Sequence, residues 1–331
     1  MSAVLVFASL LIAFVTVLAG VAAYLPLAQR KGWGDRPNHR SSHEKLTPSS
    51  GGVVIVLAMV LAMVIAATAG TLEWSLRLQS LIAGMIMLCV VGAWDDRHAL
   101  GAAPRLLVFF LAATPIVLLF SPWSGAMQWA VSAVLLVALV WVLNLYNFMD
   151  GVDGIAALQC VIVSAVLGGL GFLQGASNDF VLVAGILSAA YAGFLFFNWP
   201  PARIFMGDAG SLPAGLMLGA LGLWQWSEGV LPAAIWLVLM SPFLLDTAFT
   251  LIRRALRGER ITHGHREHIY QRLYRHWGGA TPVNLGLLVL QLGYLCPLAV
   301  LGVHRPEFQW TILTAALFPQ LVLMAKFYRL T

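Results

Sequence analysis

The chain has 331 residues, 60% of them apolar and only 10% charged, with a formal net charge of +5. A soluble domain carries roughly a quarter charged residues, so this composition excludes a water-soluble globular protein and points to a multi-pass membrane protein. Cys89, Cys160 and Cys296 all fall in apolar runs, which leaves neither a disulfide framework nor a cysteine metal spacing.

A spanning helix needs about 20 apolar residues to cross about 30 Å of hydrocarbon. The apolar runs predict eleven helices, at about 3–25, 51–70, 79–94, 106–120, 128–146, 155–173, 180–198, 211–226, 230–252, 283–303 and 310–327. The first 29 residues carry no charge, so the start reads as a retained helix rather than a cleaved secretory signal. The expected fold is all-α, one integral-membrane domain over residues 1–331.

The loops alternate between two faces. Segments 26–50, 95–105, 147–154, 199–210, 253–282 and the C-terminal tail hold 17 of the 19 Lys and Arg, leaving Arg77 and Arg305 opposite. The positive-inside rule puts the N-terminus in the periplasm and the C-terminus in the cytoplasm. Seven of the eight histidines follow the basic face, His304 being the exception. The expected active site is therefore built from these cytoplasmic loops.

In chain order, the loop 26–50 carries Lys31, Asp35, Arg36, Arg40, His43 and Lys45, then Thr47-Pro-Ser-Ser-Gly-Gly52. Its basic residues serve topology, and Lys45 is a candidate lipid-phosphate contact. The glycine pair predicts close backbone packing. Asp95-Asp96 follows the third span beside Arg97 and His98, and adjacent carboxylates repel unless a cation or donors neutralise them.

The segment Asn144-Leu-Tyr-Asn147-Phe-Met-Asp150-Gly-Val-Asp153-Gly sets four polar side chains at spacing three. In one helix each step of three turns about 300°, so the first and last would face opposite ways. Gly151 and Gly154 predict a break that lets them converge. Capping accounts for one Asp, not for two Asn and two Asp at a membrane boundary. Arg203 and Phe205-Met-Gly-Asp208-Ala-Gly-Ser211 then lead into the eighth span. Asp208 can cap that helix, and such an N-terminus also suits a phosphate or its metal.

Asp246 lies inside the ninth span, where carboxylates are functional candidates by default, although it can equally pair with an Arg. The loop 253–282 holds Arg253, Arg254, Arg257, Arg260, Arg266, Arg272 and Arg275, with His263, His265, His268 and His276. Ile269, Tyr270, Leu273, Tyr274 and Trp277 recur at helical spacing, which predicts an amphipathic interfacial helix. Arg forks bind phosphate oxygens bidentately, so a diphosphate suits this loop better than zinc.

Asp95-Asp96, the Asn144–Gly154 run, Phe205–Ser211 and a basic His loop before the tenth helix occur in one order. In this the chain resembles the polyprenyl-phosphate N-acetylhexosamine-1-phosphate transferases, glycosyltransferase family 4, the WecA and MraY superfamily. Arg266-Glu-His268-Ile-Tyr-Gln-Arg272-Leu looks closest to the WbpL-like, O-antigen-initiating branch. The resemblance implies a bacterial inner-membrane enzyme with a UDP-N-acetyl-sugar donor, an undecaprenyl phosphate acceptor and Mg²⁺, or Mn²⁺ in its stead. It implies metal binding by Asp208 and Asn147 and places Asp153 by the nucleotide base. The residue chemistry adds Asp95 and Asp96 beside Asp208 as catalytic candidates, Asn144, Asp150, His263, His265, Arg266 and His268 as further nucleotide-sugar candidates, and Lys45, Arg203 and Asp246 in support; His263 and His265 stand in for family histidines that this chain lacks.

Two departures stand out. The His-x-His-His of many relatives is His268-Ile-Tyr270-Gln271 here, and Ser49-Ser50 precede the glycine pair where relatives often carry Arg. The expected reaction moves a sugar-1-phosphate, 6-deoxy by branch, to the lipid with release of UMP. A GlcNAc-1-phosphate transferase for another envelope polymer is the nearer alternative, and a transporter with a cytoplasmic acidic site the more distant one. No nucleic-acid partner is expected, and homodimerisation is left open.

Overall fold

The computed structural model describes residues 3–34, 47–98, 100–121, 123, 125–259 and 267–330. All eleven expected helices form. They are α1 (Ala3–Lys31), α2 (Gly52–Thr68), α3 (Leu76–His98), α4 (Ala102–Phe120), α5 (Ala126–Met149), α6 (Ile155–Leu173), α7 (Asn178–Asn198), α8 (Asp208–Glu228), α9 (Ala233–Leu256), the broken tenth helix, and α13 (Gln309–Leu330). Between α9 and the tenth helix lies the amphipathic α10 (Ile269–Trp277). The tenth helix runs as α11 (Ala280–Leu290), a π turn at Gln291–Leu295 and α12 (Cys296–His304).

Among the described residues, nine of these are long and apolar enough to cross a membrane: α1, α3 to α7, α9, the α11–α12 unit and the helix ending in α13. The two exceptions to the expected eleven have separate reasons. α2 is 17 residues long. α8 carries Asp208, Pro213, Gln225 and Glu228, yet is buried on nearly every side by protein, so it has little need of a lipid-compatible surface.

α8 is the axis of the bundle, packed against α3 and α5 and touching α2, α4, α6, α7 and α9. The packing at its start is backbone to backbone. A Cβ at Gly52 would overlap the Gly210 nitrogen, and one at Gly92 would overlap the Asp208–Ala209 peptide. Gly51 and Gly52 donate to the Phe205 and Met206 carbonyls at 2.9 and 3.0 Å, and Phe205 N–H donates to Pro48 at 2.8 Å. The segment before α2 thus straps the segment before α8, which is the work of the glycine pair.

Candidate functional site

The polar residues of the third, fifth and eighth helices meet at the N-terminus of α8. Gly207 sits at φ 66°, a left-handed conformation that glycine adopts without steric cost, and a side chain there would overlap the Asp96 carboxylate. Asp96 Oδ1 accepts from Asp208 N–H at 3.0 Å, so the acid from α3 caps α8. Its neighbour Asp95 is engaged at both oxygens, by Leu100 N–H at 2.5 Å and by Arg105 at 2.6 Å. Arg105 also reaches Asp208, at 3.3 Å.

On the other flank, α5 ends at Met149. Asn147 lies alongside Asp208, its side-chain amide within hydrogen-bonding reach of that carboxylate and its Nδ2 buried. Asn144 donates back to the Val140 carbonyl at 2.9 Å, inside its own helix. Asp150 follows the helix end, where burial and then the like charges of Asp208, Asp96 and Asp153 hold its carboxyl well above the usual carboxylate range. Four carboxylates, Asp95, Asp96, Asp150 and Asp208, thus gather at the start of α8, with Arg105 bridging Asp95 and Asp208.

Asp153 and Gly154 knit this end to the loop before α8. Asp153 Oδ2 accepts from Ala202 N–H at 2.9 Å, and its carbonyl accepts from Asn284 at 2.8 Å. Asn198 accepts from Gly154 N–H at 3.1 Å and donates to the Ile204 carbonyl at 2.9 Å. Arg203 stacks on Phe196 and Phe197 and donates to the Phe196 carbonyl at 3.2 Å, so its cation serves the end of α7.

α10 forms the neighbouring wall. His268 Nδ1 lies 3.1 Å from Asp246, so Asp246 pairs with a His and not, as one expectation had it, with an Arg. Several arginines of the basic loop are occupied internally. Arg254 bridges Glu259 at 2.9 Å and Glu267 at 2.6 Å, while Arg253 and Arg272 stack on Tyr328 of α13 with centroid distances of 4.0 and 4.1 Å. The expected contacts Lys45, His263, His265 and Arg266 lie outside the described residues.

Two residues that sequence reasoning passed over belong here. Arg105 was counted only as topological charge, though it is a lone cation in an otherwise apolar helix start. Asn284, at a fully buried position in α11, had no motif to mark it.

Among the described residues no three His, Cys, Asp or Glu side chains form a ready-made metal cage. Mg²⁺ draws one or two carboxylates from a protein and completes its shell with water and substrate phosphates. Asp208 and Asn147 offer hard oxygens at that count, and the surrounding excess of negative charge favours a divalent cation. The donor set fits.

Residues 78–225 match the family model for glycosyl transferase family 4. The chain is 30% identical over 281 residues to a probable undecaprenyl-phosphate N-acetylglucosaminyl 1-phosphate transferase of Bacillus subtilis, covering 80% of this chain and 77% of that one. A decaprenyl-phosphate N-acetylglucosaminephosphotransferase of Mycolicibacterium smegmatis is 29% identical, covering 75% and 70%. A phospho-N-acetylmuramoyl-pentapeptide-transferase of Streptococcus pyogenes serotype M6 is 27% identical, covering 72% and 80%. With a bundle of spanning helices and a carboxylate cluster inside the matched region, the chain belongs to glycosyl transferase family 4, as a membrane-embedded phospho-N-acetylhexosamine transferase.

Proposed function

We propose that the protein transfers an N-acetylhexosamine-1-phosphate from a UDP-sugar to undecaprenyl phosphate on the cytoplasmic face of a bacterial inner membrane. The observation that carries this is the gathering of Asp95, Asp96, Asp150, Asp208 and Asn147 at the start of α8, with Arg105 bridging Asp95 and Asp208. The orientation rests on the concentration of 17 of 19 cationic residues on one face.

An oxygen of the lipid phosphate attacks the β-phosphorus of the donor. The new P–O bond forms as the bond to the bridging oxygen breaks, and UMP leaves. Such transfers depend on alignment and charge neutralisation more than on covalent help from the protein. Asp208 and Asn147 would hold Mg²⁺, which when bound offsets the charge of the diphosphate. Asp96 is the better candidate to face the acceptor, because Asp95 is 9% exposed and has both oxygens engaged. A phosphate monoester is largely ionised at neutral pH, so Asp96 orients more than it deprotonates. Arg266, His263, His265 and His268 are assigned to the sugar-bearing diphosphate, and Asp150 and Asp153 to the nucleotide. For the isoprenoid chain, an apolar cavity of about 340 Å³ is available between α9, α10, α11 and α13, bounded by Met149, Phe243, Leu287 and Met324.

For the donor we favour a 6-deoxy N-acetylhexosamine and a role in starting O-antigen, on the likeness of residues 266–273 to the WbpL-like branch. The names of the Bacillus and Mycolicibacterium relatives favour the second reading, UDP-N-acetylglucosamine. Membranes supplied with undecaprenyl phosphate and a donor panel, read by UMP release and by extraction of the lipid product, separate the two. Transfer should vanish in Asp208→Asn. Undiminished Mg²⁺-dependent UMP release by that variant sinks the metal assignment.

A further inference from the structure

Asp246 is 2% exposed inside α9. A carboxylate buried in a membrane helix needs donors to meet it, so its partners reveal its purpose. Its Oδ1 accepts from Ile269 N–H at 2.9 Å, His268 Nδ1 at 3.1 Å and Thr250 Oγ1 at 3.2 Å, and its Oδ2 accepts from Tyr270 N–H at 2.9 Å. The two amides open α10, whose own N-cap residue, His268, makes no side-chain cap bond. An acid from α9 therefore caps α10 from outside. A helix of nine residues is marginal by itself, so the cap decides whether and where it forms.

The far side of α10 holds the site. Tyr270 Oη donates to the Phe148 carbonyl at 2.8 Å, in the last turn of α5 between Asn147 and Asp150. The same hydroxyl lies against Gly151. A continuous run of hydrogen bonds thus leads from the α9 carboxylate through the start of α10 to the residues beside Asp208. His268 is fixed on the way: with Nδ1–H toward the carboxylate, its ring keeps one tautomer and one orientation.

We propose that Asp246 is a positioning residue for the transfer reaction, acting through His268 and, by way of Tyr270, through the end of α5. The proposal rests on the reading of the carboxylate cluster as the transfer site. In Asp246→Asn the amide NH₂ faces the Tyr270 N–H, donor against donor, while Oδ1 remains for His268 and Ile269.

The test uses full-length purified enzyme in lipid nanodiscs, with undecaprenyl phosphate and whichever UDP-sugar the wild type turns over. For Asp246→Asn, kcat per folded molecule should fall about ten- to hundredfold, with KM for both substrates within about threefold of wild type. The double variant Asp246→Asn/His268→Gln should lose less than the product of the two single losses, since the part of the Asp246 effect that runs through His268 is already gone. Wild-type kcat in Asp246→Asn, or multiplicative losses in the double variant, overturn the proposal. Should Asp246→Asn not fold, Tyr270→Phe carries the test. It should lose several-fold in kcat at unchanged thermal stability, and wild-type turnover there overturns the route through α5. Wild-type enzyme that releases no UMP from any UDP-N-acetylhexosamine overturns the transfer reading itself, which is a different failure from normal turnover with an indifferent Asp246.

Discussion

At the scale of single residues, Arg105 has the sharpest electrostatic role. It neutralises part of a four-carboxylate cluster, bridging Asp95 and Asp208. Arg105→Gln should lower turnover about tenfold or more, the range for loss of one preorganised charge. It should also lower the Mg²⁺ concentration for half-maximal activity, because the uncompensated carboxylates attract a cation more strongly. A magnesium titration of UMP release checks both. Gly151 is bound to Tyr270 in another way. Gly151→Ala overlaps the phenol oxygen and should cost about 1–3 kcal/mol of overpacking; Tyr270→Phe in the same chain should restore part of the lost stability and activity, read by thermal unfolding and initial rates. The carboxylates and amides of this site were legible in the sequence because apolar runs isolate them. Arg105 was not, because one Arg beside a span reads as topology until its partners are known. The same holds for Asp153 and Asp246, whose residue type announced importance while their backbone partners, Ala202, Ile269 and Tyr270, carry no side-chain signal.

At the scale of elements, the strap between residues 47–52 and the segment before α8 fixes where Asp208 stands. Gly52→Ala drives a methyl group into the Gly210 backbone, which cannot yield as a side chain can. Gly169, at an exposed position of the otherwise largely buried α6, meets nothing within 4 Å, so Gly169→Ala should be neutral or stabilising by up to about 1 kcal/mol. Comparing the folded yields and melting temperatures of the two variants tests whether the glycine pair is a packing requirement. Element boundaries also show where sequence patterns stop. The amphipathic α10 was readable from its apolar spacing, and it forms over Ile269–Trp277. The π turn at Gln291–Leu295 was not, since its residues continue an apolar helix; its Gln291 joins Gln159 at 2.8 Å and the Leu239 carbonyl at 2.8 Å, contacts made only when three distant segments come together.

At the scale of the molecule, the eleven helices were legible because hydrocarbon thickness imposes a length that sequence cannot disguise. Which of them face lipid was less so: α8 reads as a span but is sheathed by its neighbours. The proposed orientation predicts labelling. On a background of Cys89, Cys160 and Cys296 changed to Ser, an impermeant maleimide should modify Ser177→Cys in intact cells, and His276→Cys only after permeabilisation. The reverse pattern inverts the topology. Arg254 grips Glu259 and Glu267, the two residues that bracket segment 260–266, so the ends of that basic stretch are already held together. Loop-closure entropy grows only slowly, by about 0.6 kcal/mol per doubling of length. With the ends tied, residues between them can be exchanged or lengthened at small thermodynamic cost, while Asp208 stays fixed to the bundle axis. Under the proposed assignment of His263, His265 and Arg266 to the sugar-bearing diphosphate, donor preference would then evolve in this tethered stretch without moving Asp208.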